Sequence, residues 1–323
     1  MPDGATARAV PAYADAVARF RIDTVAAHLH GDLEHGLNAC VECCDRHASG
    51  DAVALDWIDI DGAHRRFTFA QMKALAARVA NLLVERGVKP GDVVAGLLPR
   101  TPELVATILG TWRAGAVYQP LFTAFGPKAI EHRLRMSDAR LVVTNVANRA
   151  KLDEVADCPP VATVRAPEAP LPDGDIDFRA ALDAQSDTFE PVLRKGTDLF
   201  MMMSTSGTTG LPKGVPVPLR ALLAFRQYMC DAVDLRAEDR FWNIADPGLG
   251  IRTVLRDHRT AAAWPRDDAV RRRLYGRQHL RRDRTARHYE PRRFADGVPD
   301  ADGGRLRCGR AYQGQAARGQ QRG

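Results

Sequence analysis

Between residues 93 and 144 short apolar runs alternate with amphipathic stretches, and this alternation limits the chain to few architectures. Residues 93–98, 116–121 and 141–144 read as strands, and 102–114 and 127–136 as helices, each opened by a proline at its first position. Strand–helix alternation of this kind calls for a mostly parallel sheet with helices on both faces, an α/β fold. Upstream, 53–60 alternates as a strand and Asp61-Gly62 is a hairpin turn signal before Arg66-Phe67-Thr68-Phe69. From Met72 the positions Leu75, Ala76, Val79, Leu82 and Leu83 recur at helical spacing, and Gly87 stands where a helix-ending glycine belongs. Residues 157–175, with Pro159, Pro160, Pro167, Pro170 and Pro172, read as an exposed connection.

Charge divides the chain. The 323 residues carry a formal net charge of +6, yet residues 249–323 alone hold 19 Arg, no Lys and 8 acidic residues, while 1–248 are net acidic. Only 10 of those 75 residues are Ile, Leu, Val, Met or Phe, too few to offset the entropy of ordering the backbone. The sequence therefore divides into an N-terminal helical segment (1–44), an α/β region (45–248) and a basic tail (249–323) expected to be disordered. No apolar run approaches the roughly 20 residues of a membrane span. The opening MPDGATARAV has neither the basic cluster nor the apolar stretch of a secretory signal, so a cytoplasmic location is expected.

Cys40, Cys43 and Cys44 lie close together, with His35 and His47 nearby. A structural zinc site normally takes four soft ligands, and no second Cys pair follows, so these read as reduced cysteines packed on a helix, and no metal ligand is assigned.

The apolar run 199–203 leads directly into Ser204-Thr205-Ser206-Gly207-Thr208-Thr209-Gly210-Leu211-Pro212-Lys213-Gly214. Small hydroxyl and glycine positions let a backbone approach a ligand closely, and their N–H and O–H groups can wrap phosphate oxygens, with Lys213 adding a positive charge. The string lacks the Gly-Lys-Ser/Thr order of a Walker loop. A loop of this composition could also be a simple flexible linker; the full eleven-residue string is far more specific. It resembles the phosphate-binding signature of the adenylate-forming superfamily, which includes acyl-CoA synthetases, luciferases and the adenylation domains of peptide synthetases. Leu98-Pro99-Arg100-Thr101-Pro102-Glu103 and Trp112-Arg113-Ala114-Gly115-Ala116-Val117-Tyr118-Gln119-Pro120-Leu121-Phe122 look like acyl-CoA synthetases of the acetate, propionate and medium-chain type. Phe241-Trp242-Asn243-Ile244-Ala245-Asp246-Pro247-Gly248 is similar to the next signature of that family.

The resemblance implies the incomplete N-terminal large domain of an AMP-forming acid–CoA ligase. Such an enzyme joins a carboxylate to ATP, releasing pyrophosphate, and then transfers the acyl group from the adenylate to CoA. ATP, Mg and CoA are the implied cofactors. Ser204, Thr205, Ser206, Gly207, Thr208, Thr209, Gly210 and Lys213 would hold the phosphates, Lys213 would serve catalysis, and Asp246 and Gly248 would lie near the acyl pocket. His132 reads instead as a residue of a solvated helix face, and Trp112 and Trp242 as core aromatics. An amino-acid-activating domain would share the phosphate loop but not the 112–122 resemblance.

At Leu249 the resemblance stops. Shifted by one nucleotide, residues 249–273 can be read as WAYGLYYAITGPLLLGHATTLYDGG, which again looks like acyl-CoA synthetase sequence. A frameshift near codon 249 would leave this chain inactive. The competing reading is a non-enzymatic protein whose Arg271-Arg272-Arg273 and Arg281-Arg282 bind nucleic acid or another acidic partner. Arginine without lysine argues against it, because a GC-rich gene read out of frame yields Arg, Ala, Gly and Pro.

Overall fold

A computed structural model describes residues 13–59, 62–205, 212–235, 239, 241–242 and 262–265. All of them belong to one unit, Met1–His288, and residues 289–323 lie outside the described set. Three short helices come first: α1 (Tyr13–Arg19), α2 (Ile22–Ala26) and α3 (Ala39–Cys43). Asn38 caps α3, its Oδ1 accepting from Cys40 N–H at 2.9 Å, while its Nδ2 donates to the carbonyls of Trp112 at 2.7 Å and Val192 at 2.8 Å. One side chain thus fastens the N-terminal helices to the body of the protein.

Strands β1 (Val53–Ile58) and β2 (His64–Thr68) form the expected antiparallel hairpin. Helix α4 (Phe69–Glu85) follows at once, opened by a capping box: Thr68 Oγ1 accepts from Gln71 N–H, and Gln71 Oε1 accepts from Thr68 N–H. It ends as the sequence requires. Gly87, at φ +79°, lets its N–H reach the Val84 carbonyl while Val88 N–H reaches that of Leu83, the paired bonds of a Schellman motif.

Strand β3 (Val93–Leu97), helix α5 (Pro102–Arg113), strand β4 (Val117–Pro120), helix α6 (Pro127–Ser137) and strand β5 (Ala139–Asn145) realise the alternation within one or two residues of the sequence reading. After helix α7 (Val146–Arg149) come strands β6 (Val161–Val164) and β7 (Ile176–Asp177), helix α8 (Phe178–Asp183), strands β8 (Leu199–Thr205) and β9 (Lys213–Pro218), and helix α9 (Ala221–Asp231). Seven strands assemble in the order β7-β6-β5-β3-β4-β8-β9, parallel throughout except for the β8–β9 hairpin at the edge. Pro216 and Pro218 stand on that edge strand.

Both faces of the sheet are covered, which is why β3 is buried along its whole length. Val94 packs with α4 and α5 residues such as Val79 and Leu104, whereas Val93, Ala95 and Leu97 pack with Ile130 and Leu134 of α6. Against α4, Gly110 of α5 lies so close that a Cβ there would sit 2.4 Å from Val79 Cβ and 2.9 Å from the Ala76 carbonyl oxygen. The second sheet combines β1 and β2 with β10 (Phe241–Trp242) and β11 (Ala262–Pro265) in the order β10-β11-β1-β2.

One reading needs correction. Residues 157–175 are not wholly an exposed connection, because β6 is a buried strand between β5 and β7. Prolines bracket it without interrupting it: Pro160 precedes the strand and accepts a hydrogen bond from Val142 N–H, so no ladder donor is lost. Of residues 249–323, the described ones are Ala262–Pro265, which pair parallel to β1; the rest of the basic tail lies outside the described set. Cys40 and Cys44 are buried, and burial pushes both thiols well above their ordinary range, as expected of cysteines packed as small apolar groups.

Candidate active site

In a parallel sheet the strands' carboxyl ends line up on one edge, and ligands bind there. β8 runs parallel to β4, so its last residue, Thr205, reaches that edge, and β9 returns from Lys213. Residues 206–211 join the two strands and lie outside the described set, as do Asp246 and Gly248. Of the expected phosphate contacts, Ser206, Gly207, Thr208, Thr209 and Gly210 therefore fall outside it, and Ser204, Thr205 and Lys213 fall within.

The base of the hairpin is well defined. Thr205 pairs with Lys213 and donates from Oγ1 to the Lys213 carbonyl at 3.4 Å, while Ser204 pairs with Gly214. Lys213 is exposed, and Ser204 Oγ is buried with no hydrogen-bond partner among the described residues. A buried hydroxyl without a partner is costly unless something else completes its bonding. The donor set here, hydroxyls and an ammonium group with no described carboxylate cluster, suits phosphate oxygens; a metal ion would then be held chiefly through the phosphates.

Helix α6 supports the hairpin. His132 Nε2 lies 2.9 Å from the carbonyl oxygen of Pro212, immediately before Lys213. Gly214 carries no side chain, so Met136 approaches closely; a Cβ on Gly214 would sit 3.2 Å from both the Sδ and the Cε of Met136. This corrects the reading of His132 as a residue of a solvated helix face: it is half-buried and bonded to the loop. The bond spans 80 positions, and no local pattern announces it. Beside it, Arg133 is buried with its guanidinium 3.9 Å from the ring centre of Phe125, in the segment after β4, and burial holds its pKa below the ordinary arginine value.

Trp112 is a core aromatic as expected, donating from Nε1 to the Phe200 carbonyl at 2.8 Å and tilting against the Phe200 ring. The side chain of Trp242 lies outside the described set.

The family model described as AMP-binding enzyme matches residues 43–251, and so takes in the hairpin and both strands that carry it. The chain belongs to that family. The acetyl-coenzyme A synthetase of Bacillus subtilis is 35% identical to this family member over 224 residues, covering 68% of the chain and 39% of the Bacillus protein. An acyl-CoA synthetase from Brucella canis, known from its crystal structure, shares 64% identity at a TM-score of 0.71 over 73% of this chain and 43% of that one. An ATP-bound RpMatB–BxBclM chimera shares 26% identity at a TM-score of 0.60. The family member thus spans less than half the length of these relatives. No helix among its described residues is long and apolar enough to cross a membrane.

Proposed function

We propose that the chain is the N-terminal part of a cytoplasmic AMP-forming acid–CoA ligase acting on a short- or medium-chain carboxylate. The observation that carries this reading is the β8–β9 hairpin, which sets Ser204, Thr205 and Lys213 at the carboxyl edge of a parallel sheet. In the first half-reaction the carboxylate attacks the α-phosphate of ATP, giving an acyl-adenylate and pyrophosphate; in the second the thiol of CoA displaces AMP. Hydroxyls of Ser204, Thr205, Ser206, Thr208 and Thr209, with the backbone of Gly207 and Gly210, hold the departing phosphates. Lys213 contributes positive charge where negative charge builds up. Bound Mg would supply neutralisation of the phosphate oxygens. Asp246 and Gly248 are proposed to border the acyl group.

We propose further that residues 249–323 are read out of frame and that the 323-residue chain does not complete turnover. The support is the arginine-rich composition without lysine and the end of the family match at residue 251. Sequencing the gene across codon 249 tests the first statement: bases that forbid the shifted reading refute it. Acyl-CoA formation by the chain itself, abolished by Lys213→Ala, would refute the second.

The catalytic reading is tested by ATP–pyrophosphate exchange in the frame-corrected protein with acetate, propionate, longer acids and amino acids. Exchange with the fatty acids is expected, and exchange with amino acids alone would move the protein to the amino-acid-activating class. Lys213→Ala is expected to lower adenylation by roughly tenfold to a thousandfold, the scale for one preorganised oxyanion donor, with a smaller effect on acyl transfer from supplied adenylate. Equal losses in both half-reactions would assign Lys213 a folding role.

A further inference from the structure

We propose that His132 is a positioning residue for the phosphate loop, anchoring it through the Pro212 carbonyl, and that α6 acts as a strut between the sheet and the loop. The proposal rests on reading 204–214 as the phosphate loop.

A carbonyl oxygen only accepts, so His132 Nε2 must carry a hydrogen and donate to Pro212 at 2.9 Å. The carbonyl of Pro212 and the N–H of Lys213 belong to one planar peptide unit, so fixing the direction of one fixes the other. That unit is the hinge between the loop and β9. From the other side Thr205 pairs with Lys213, so the hinge is gripped from two elements.

The strut itself is well anchored. Gln119 of β4 donates from Nε2 to the Arg133 carbonyl at 3.1 Å and accepts from Ser137 Oγ at 2.9 Å, tying α6 to the parallel sheet. Ile130 and Leu134 are buried beneath it. His132 and Met136, one turn apart, lie on the same helical face and meet the hairpin at Pro212 and Gly214. A rigid helix that meets the hairpin at Pro212 and Gly214 can set the direction in which Lys213 leaves the hairpin.

The test compares the 323-residue chain with His132→Phe, which keeps a flat ring without the donor, and His132→Gln, which keeps an N–H donor. Amide hydrogen exchange is followed in the peptide covering 204–211 and in α6. His132→Phe is expected to speed exchange in the loop roughly fivefold, the value of one net hydrogen bond, with α6 unchanged, and His132→Gln to stay within about twofold of the parent. Unchanged loop exchange in His132→Phe overturns the proposal. So does acceleration spread through α6 in both variants, which would mark a packing role.

MgATP titration of the parent chain and Lys213→Ala separates this from the underlying reading. Binding lost in Lys213→Ala supports a phosphate loop. Identical titration curves for the two proteins would refute that reading, while the exchange result continues to decide whether His132 holds the hinge.

Discussion

Substituting Gly110 with alanine tests how closely α4 and α5 approach. In an open helix position Gly→Ala stabilises by about 1 kcal/mol through backbone entropy, and burying one more methyl adds about 0.8 kcal/mol. At Gly110 the new Cβ would fall 2.4 Å from Val79 Cβ, 2.5 Å from Val79 Cγ1 and 2.9 Å from the Ala76 carbonyl oxygen. These neighbours cannot swing aside: one is a β-carbon fixed to the backbone and one is backbone itself. The helices must therefore separate by about an ångström, and because Ala76, Val79 and Ala80 are fully buried, contacts along the whole seam loosen together. Overpacking of this kind costs about 1–3 kcal/mol beyond the methyl's own gain. Three contacts this short to atoms that cannot move put the cost in the upper half of that range, and after the helix gain of about 1 kcal/mol the net expectation is a destabilisation of about 1–2 kcal/mol, or roughly 2–8 °C in Tm for a domain of this size.

Urea unfolding followed by circular dichroism measures it. Val79→Ala in the same background is expected to recover only part of the loss, since it removes Cγ1 but leaves the contacts with Cβ and the Ala76 carbonyl. A Gly110→Ala protein as stable as the parent, or more stable, would refute the close approach.

Glu103 provides a pH test: burial alone would raise its pKa, but the Arg179 guanidinium at 2.6 Å holds it below the ordinary value of 4.5. A carboxylate depressed in the folded state stabilises above its unfolded value, and that contribution is lost as pH falls through the folded one. The urea midpoint should therefore drop on acidification below about pH 4.5, and Glu103→Gln should remove part of that slope; an unchanged slope would refute the ion pair's role. Cys40 and Cys44, buried and held as thiols, should react with a thiol reagent at pH 8 only on unfolding, and rapid labelling of either in the native protein would contradict their burial.

The elements legible in the sequence were those whose cause is local. The α4 helix carries its buried face in a 3.6-residue period from Met72 and its end in Gly87, all within one stretch, although it starts three residues earlier, at Phe69, behind the Thr68–Gln71 capping box. The β3–β5 alternation was legible for the same reason. β6 was hidden because the strand is only four residues long, includes Thr163 and has prolines around it, and a strand that short is recognisable only by its neighbours in the sheet. Of the site, the hydroxyl-rich string and Lys213 stand out as a motif. The groups that hold it in place do not: the bond from His132 to Pro212 joins residues far apart in sequence, as does Asn38 to Trp112 across 74 positions. Such contacts are products of topology, and no spacing rule predicts them.

The prolines of β9 bear on how this protein meets other chains. In an antiparallel pair, alternate residues point their N–H groups inward and outward, and a proline has none to offer. Leu219 N–H bonds toward Asp198, so odd-numbered residues face β8 and even-numbered ones face away. The outward positions of this edge are then Gly214, Pro216 and Pro218, of which only Gly214 can donate. Another strand approaching here would find acceptors but almost no donors. Among the described residues, growth of the seven-stranded sheet by edge-to-edge pairing is therefore blocked on the side that bears the hairpin, and this border does not seed aggregation.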